Sequence, residues 1–228
     1  MEHIENSSKN KLDGSGYCTH EYLSPSRMSS YGHQYSLAMK SKGASFLNVG
    51  SGNDFLNHLL TRQGKFVVDF DLNYSTKPIV CGKLPFLPFY NSSFDIVLCF
   101  QMLEHLPVSL LPTCLTEFAR VGTKYVIISL PDVTYRGYEK IKHFTYKVTK
   151  HPQVWKKYEI PQIDFEHEWE IGIGDVDEET VLKCVENDQL SLVHQFRNDL
   201  NLYHHFFVWN ILAKKPENQS EKGSITLP

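Results

Sequence analysis

The sequence contains no CxxC pair, no HxH or HExxH pattern, and no apolar run approaching the length of a membrane span. Each absence removes a class of protein. Five cysteines (Cys18, Cys81, Cys99, Cys114 and Cys184) are scattered and odd in number. This argues against a disulfide framework and a structural zinc, and suits reduced thiols in the cytosol. The eleven histidines are spread out, so the expectation is that no dedicated metal site exists. The polar opening MEHIENSSKNKLDGSG has no apolar signal core, which makes a cytoplasmic location the expectation. A net charge of -3 lacks the basic excess of a nucleic-acid or acidic-membrane binder. Internal repeats and low-complexity tracts are also missing.

What is present is a chain of 228 residues, 41% hydrophobic, enough for one domain with a decorated edge or a small lid. Residues 1–20 are polar and read as a disordered arm, and 216–228 as a disordered tail. Between them, 21–215 reads as one domain. Spacing predicts a helix from Ser26 to Lys42, then an apolar strand from Ser45 to Val49 broken by Gly50-Ser51-Gly52-Asn53. Phe55, Leu56, Leu59 and Leu60 share one face of the next helix, 54–62. Lys65 to Asn73 reads as a second strand, Ile79 to Cys81 as a weaker third, and FDIVLCF (94–100) as a fully buried fourth. A helix is predicted over 107–120, and KYVIISL (124–130) is another buried strand. A helix over 177–186 and strands in SLVHQF and YHHFFVWNILAKK close the chain. Alternating strands and helices predict an α/β, Rossmann-like, seven-stranded and mostly parallel sheet, with helices on both faces and an antiparallel closing strand.

The segment 133–165 interrupts this pattern and reads as a lid or substrate insertion. Its part 133–158 carries six lysines and one arginine against Glu139, interleaved with aromatics; 159–188 reverses the sign, with eleven acids. The basic stretch suits either an anionic substrate or a solvated lid facing the acids.

Strand, glycine turn and helix together open a nucleotide-binding unit. Phe55 stands where the third glycine of a dinucleotide fingerprint belongs, which counts against NAD or FAD, and no GxxxxGK[ST] phosphate loop occurs. Asp71 follows Gly50 by 21 residues (71 − 50), where a carboxylate accepts from a ribose diol; Asp69, two residues earlier, is the fallback.

With Leu84-Pro85-Phe86, Phe94-Asp95-Ile96-Val97 and Met102-Leu103-Glu104-His105-Leu106, the region 45–132 resembles the class I S-adenosylmethionine-dependent methyltransferases (a methyltransferase-11-like domain). The resemblance implies S-adenosyl-L-methionine as cofactor. It places Asn48, Val49, Gly50, Ser51 and Gly52 around the methionine part, Asp71 on the ribose and Leu72 beside the adenine. Gly82, Lys83 and Leu84 fall in the adenine loop, and Gln101 faces the sulfonium end. Two positions depart from the family: Asn48 stands for an acid and Asp54 for a glycine. Asp54 is expected to supply a compensating carboxylate or a helix cap.

Methyl transfer from a sulfonium needs alignment, and a base where the acceptor must lose a proton. The candidates are Glu104, His105 and His167. Glu168 or Glu170 would orient His167, and Trp169 would stack on a flat acceptor or anchor the insertion. Of His204 and His205, strand alternation turns one inward and one outward. The expected reaction is metal-independent transfer to oxygen on a glycan-type precursor or small metabolite. A degenerate, non-catalytic binding module and an RNA methyltransferase are the alternatives.

Overall fold

The computed structural model describes Tyr17, Thr19 and the ranges 22–134, 167–185 and 189–212. The basic part of the expected insertion and the 216–228 tail lie outside these residues, as does most of the 1–20 arm. Seven strands form one sheet: β1 (Ser45–Val49), β2 (Phe66–Asp71), β3 (Val80–Cys81), β4 (Phe94–Phe100), β5 (Gly122–Pro131), β6 (Leu190–Arg197) and β7 (His204–Ile211). Their order is β3-β2-β1-β4-β5-β7-β6. Pairings from β3 through β5 are parallel, and β7 runs antiparallel to both β5 and β6. Among the described residues four helices accompany them: α1 (Pro25–Lys40), α2 (Phe55–Arg62), α3 (Leu111–Val121) and α4 (Glu178–Lys183). Among the described residues no helix is long and apolar enough to cross a membrane.

Alternation along β4 divides the core. Val97 and Cys99 pack with Leu111, Cys114, Leu115 and Phe118 of α3. Ile96 and Leu98 pack on the other face with Ala38 of α1 and Leu56 and Leu60 of α2. A period of two therefore buries both faces of one strand, which is why FDIVLCF is apolar throughout. β1 follows the same rule, with Phe46 on one side and Leu47 and Val49 on the other.

The helix expected over 107–120 begins later. Val108–Leu110 forms a 3₁₀ turn, and α3 starts at Leu111, with Pro112 inside its first turn where no N–H is required. On β7 both histidines are buried, His204 against Ser30 and His205 against Asp132. Alternation does send them to opposite faces, but both faces are covered, so the expected outward histidine does not occur.

A candidate cofactor and acceptor site

β1 ends in Gly50 and Gly52, whose φ angles of 68° and 58° are left-handed and disfavour a side chain. The Gly50 N–H donates to the Phe70 carbonyl (2.8 Å), holding the turn against β2. A Cβ at Gly50 would lie 2.3 Å from Cγ of Met102, which follows β4. The turn is thus close-packed from below, and its backbone faces a cavity of about 1130 Å³. Asp71, at the end of β2, accepts from the Gly52 N–H (2.9 Å) and the Asn73 N–H (2.8 Å). Its carboxylate is oriented by backbone and retains acceptor capacity toward the cavity.

Asn48, Gly50, Ser51, Gly52, Asp71 and Leu72 line this cavity, together with Gly82, Lys83, Leu84 and Gln101. Val49 is the exception: its side chain is fully buried in the α3-side core, because strand alternation turns it away from Asn48. Asp69 is also outside the wall. It accepts from Asn48 (2.8 Å) and Asn57 (2.7 Å), tying β1 and α2 to β2. Burial pushes its carboxyl up, and the two amide bonds pull it back down. The expected compensation by Asp54 is absent from the site. Asp54 occupies the N-cap position of α2 without a side-chain cap bond and lies off the cavity wall. Gln101 has a left-handed backbone (φ 51°), and its amide donates to the Ser129 hydroxyl (3.2 Å).

The other end of the cavity joins two separate stretches of sequence. Glu104 and His105 lie in a 3₁₀ turn just after β4. The Glu168 N–H donates to the Glu104 carbonyl (2.8 Å), and the Trp169 indole N–H to the Leu106 carbonyl (2.9 Å). Trp169 is buried by this docking, so it anchors the segment and is unable to stack on an acceptor. His167 then enters the cavity wall with Glu104 and His105. Its Nδ1 lies 2.8 Å from Glu170 Oε1, whereas Glu168 is exposed. Tyr203 donates to the same Glu170 oxygen and approaches His167 Nδ1 at 3.3 Å. Burial is the main force on Glu104, pushing its carboxyl up to about 8 against its own backbone N–H, His167 and Arg27, while neighbouring Glu170 adds to the rise.

Sequence reasoning missed one wall of the cavity. Tyr22, Arg27, Tyr31 and Gln34, from α1 and the segment before it, line the site with Tyr17. The Tyr17 carbonyl accepts from Asn53 (3.0 Å), and its ring would meet a Cβ on Gly52 at 3.4 Å. A signal was available in Gln34, which is buried on the inner face of α1 where an apolar residue would otherwise belong. His204, at the start of β7, completes this side. Burial drives its imidazole down to about 3, and the ring bonds Ser30 Oγ at 2.7 Å.

That burial has a consequence for stability. The ordinary imidazole value of 6.5 applies to the unfolded chain, so the folded form resists a proton that the unfolded form accepts. The contribution is intact above pH 6.5 and declines as pH falls toward 3, by roughly 5 kcal/mol at most. Chemical denaturation across pH 7 to 4 is expected to show a shallower slope in His204→Gln than in the parent chain. Superimposable profiles would refute the assignment.

Residues 47–127 match a family model described as a methyltransferase domain. Over that stretch, from β1 into β5, the chain is similar to a methyltransferase domain. Solved structures similar to it include magnesium protoporphyrin IX methyltransferase from Synechocystis PCC 6803 with bound S-adenosylhomocysteine. That match has 13% identity and a TM-score of 0.61, over 92% of this chain and 95% of the other. The PH0226 protein from Pyrococcus horikoshii OT3 matches with 17% identity and a TM-score of 0.60, over 90% and 99%. The N-methyltransferase NodS from Bradyrhizobium japonicum WM9, in complex with S-adenosylhomocysteine, matches with 11% identity and a TM-score of 0.57, over 90% and 97%. At these identities the likeness is one of fold. No curated protein sequence matches the chain.

Proposed function

We propose that this protein is a methyltransferase that transfers the methyl group of S-adenosylmethionine to an oxygen of a sugar-type precursor or small metabolite. The observation that carries the reading is the single cavity, with the glycine turn and Asp71 at one end and Glu104, His105 and His167 at the other. S-adenosylmethionine, when bound, supplies an electrophilic methyl on sulfur for in-line displacement, a step that calls for no metal of its own.

The chain's residues fit that group. Left-handed Gly50 and Gly52, lacking side chains, let the backbone of the turn approach a ligand closely, and Asp71 is already oriented to accept from a ribose diol. Exposed Leu72 offers an apolar surface to a base, and Gly82, Lys83 and Leu84 form the adjoining wall. Tyr17 packs against Gly52 of the turn, and Tyr22 stands edge-on to its ring. At the far end, the carboxylate and imidazoles of Glu104, His105 and His167 are the groups able to orient an acceptor or take its proton. A cavity of about 1130 Å³ accommodates a nucleoside cofactor together with a small acceptor. The four described cysteines are free thiols, which suits the cytosolic reading.

Calorimetry with S-adenosylhomocysteine tests the cofactor half. Asp71→Ala is expected to weaken binding by about 10- to 100-fold, the loss of charge-assisted hydrogen bonds. An unchanged affinity would remove Asp71 from the ribose role, and no binding by the parent chain at millimolar ligand would defeat the enzyme reading. One observation favours a second reading, a binding module without catalysis: Asn48 replaces the family's acid and spends its amide on Asp69. That reading predicts tight S-adenosylhomocysteine binding but no methyl transfer across a broad panel of hydroxyl acceptors.

A further inference from the structure

At the acceptor end of the cavity the fold gathers three side chains separated in sequence by up to 63 residues (167 − 104). A carboxylate oxygen of Glu104 and one ring nitrogen each from His105 and His167 all lie within 4.8 Å of one another. We propose that these residues form a binding site for a divalent first-row transition-metal ion, which holds the methyl acceptor through its oxygen atoms.

Glu104 is the first reason. Its side chain is fully buried yet faces the cavity, and among the described residues neither carboxylate oxygen has a hydrogen-bond partner. A buried carboxyl with no donor is relieved either by taking a proton or by a cation at its oxygens. Arg27 shares the cavity wall but gives neither oxygen a hydrogen bond. A bound cation supplies the partner that the protein does not.

His167 is the second reason. Its Nδ1 is engaged by Glu170 at 2.8 Å, with Tyr203 converging on the same carboxylate. A proton held on Nδ1 leaves the Nε2 lone pair directed at Glu104 Oε1, 4.0 Å away. Carboxylate, imidazole and ion in that order is the arrangement that fixes a ligating histidine's tautomer and raises its basicity. Tetrahedral bonds of about 2.0–2.2 Å put ligand atoms about 3.3–3.6 Å apart, so this pair at 4.0 Å closes by about half an ångström to share one ion. His105 is exposed, its ring stands 4.9 Å from that of His167, and one of its ring nitrogens already lies within 4.8 Å of the other two ligand atoms. Two imidazoles and one carboxylate suit zinc, cobalt or manganese better than the all-oxygen sites of magnesium and calcium. Three protein ligands leave open positions facing the cavity, and an acceptor with two adjacent oxygens can fill two of them. The acceptor clause rests on the methyl-transfer reading; the cation site does not.

A second cluster shows what a filled position looks like. Asp132, Glu178 and His205 also come within ligand distance of one another. There Arg197 already places a guanidinium nitrogen 2.7 Å from Asp132 Oδ2 and 3.6 Å from Glu178, so the positive charge is built in.

The test uses the full chain, stripped with chelator and dialysed. Co²⁺ is titrated with visible absorption and calorimetry as readouts, Zn²⁺ is used as competitor, and S-adenosylhomocysteine binding is measured in parallel. One Co²⁺ per chain, displaced by Zn²⁺, is the expected result. Glu104→Gln and His105→Ala should each weaken Co²⁺ binding at least tenfold, and the positioning change Glu170→Gln by about 10- to 100-fold. S-adenosylhomocysteine affinity should stay within about threefold in all three variants, showing that they fold. Absence of Co²⁺ and Zn²⁺ binding would overturn the site, as would unchanged Co²⁺ affinity in both Glu104→Gln and His105→Ala. Co²⁺ binding without S-adenosylhomocysteine binding would defeat the methyltransferase reading and leave the cation site standing. The reverse pattern would defeat the cation site alone.

Discussion

Replacing Gly50 with alanine is expected to cost about 2–4 kcal/mol of stability and to weaken S-adenosylhomocysteine binding more than tenfold. Two separate effects add. A φ of 68° is left-handed, and an L-residue held there loses about 1–2 kcal/mol relative to glycine. The new Cβ would also sit 2.3 Å from Met102 Cγ, so either Met102 moves or the turn does. Met102 is partly buried against the α3-side core, and displacing it transmits strain into that core. Movement of the turn would break the Gly50 N–H bond to Phe70 and shift the Gly52 N–H off Asp71, the two contacts that shape the cofactor end. Combining Gly50→Ala with Met102→Ala should recover the steric part of the stability loss and leave the backbone part. Thermal unfolding and calorimetry measure the two readouts; a Gly50→Ala chain with parental values of both would show that the turn is not built as described.

The second large effect lies away from the cavity. Asp132 carries a side chain with no solvent exposure, and its Oδ2 accepts from Arg197 (2.7 Å) and His205 (2.8 Å). Its Oδ1 accepts from the backbone and hydroxyl of Thr134. Asp132→Ala would remove the nearest carboxylate from the Arg197 guanidinium at the end of β6 and the bonded carboxylate from an imidazole buried in β7. Removing one partner of a buried ion pair costs about 3–5 kcal/mol, mostly through the charge left behind. Denaturant unfolding of Asp132→Ala against the parent checks this, and a loss under 1 kcal/mol would show the network to be dispensable. Burial alone would raise the Asp132 carboxyl, but His205, Thr134 and Arg197 outweigh it and hold the group down at about 2. A depressed carboxylate contributes stability that is complete above the ordinary value of 3.8 and lost as pH falls toward 2. Asp132→Asn should therefore lose the acid-sensitive part of the stability in that window. The network also bears on the site. Asp132 bridges to Ile171, and the Ile171 N–H donates to the Pro131 carbonyl, so the end of β5 carries the segment that delivers His167.

Local pattern was enough for much of this protein. The apolar run 45–49 broken by Gly50 and Gly52 marks a strand and a turn because alternation and left-handed backbone leave signatures in adjacent residues. The buried strand 94–100 and the inner face of α3 were legible for the same reason, and Asp71 was found from its distance along the chain to Gly50. Other features were not open to that reasoning. Asp69 and Asp71 lie two residues apart on one strand, yet only contact with Asn48 and Asn57 makes the first structural and leaves the second at the cavity. Val49 belongs to the turn by sequence and to the core by orientation.

The contrast is sharpest at the acceptor end. By itself the sequence determined the frame: the strand–turn–helix opening, the order of the cofactor motifs, and the identities of Glu104, His105 and His167. A search for ligands by spacing rejected a metal site, since 62 residues separate His105 from His167 (167 − 105). Tertiary structure alone decided that these side chains meet, that Glu170 rather than Glu168 holds His167, and that Trp169 is an anchor. The physical reason is that periodicity reports which face a residue occupies. Which neighbour waits on that face is set by chain segments distant in sequence, packed at the ends of β4, β5 and β7.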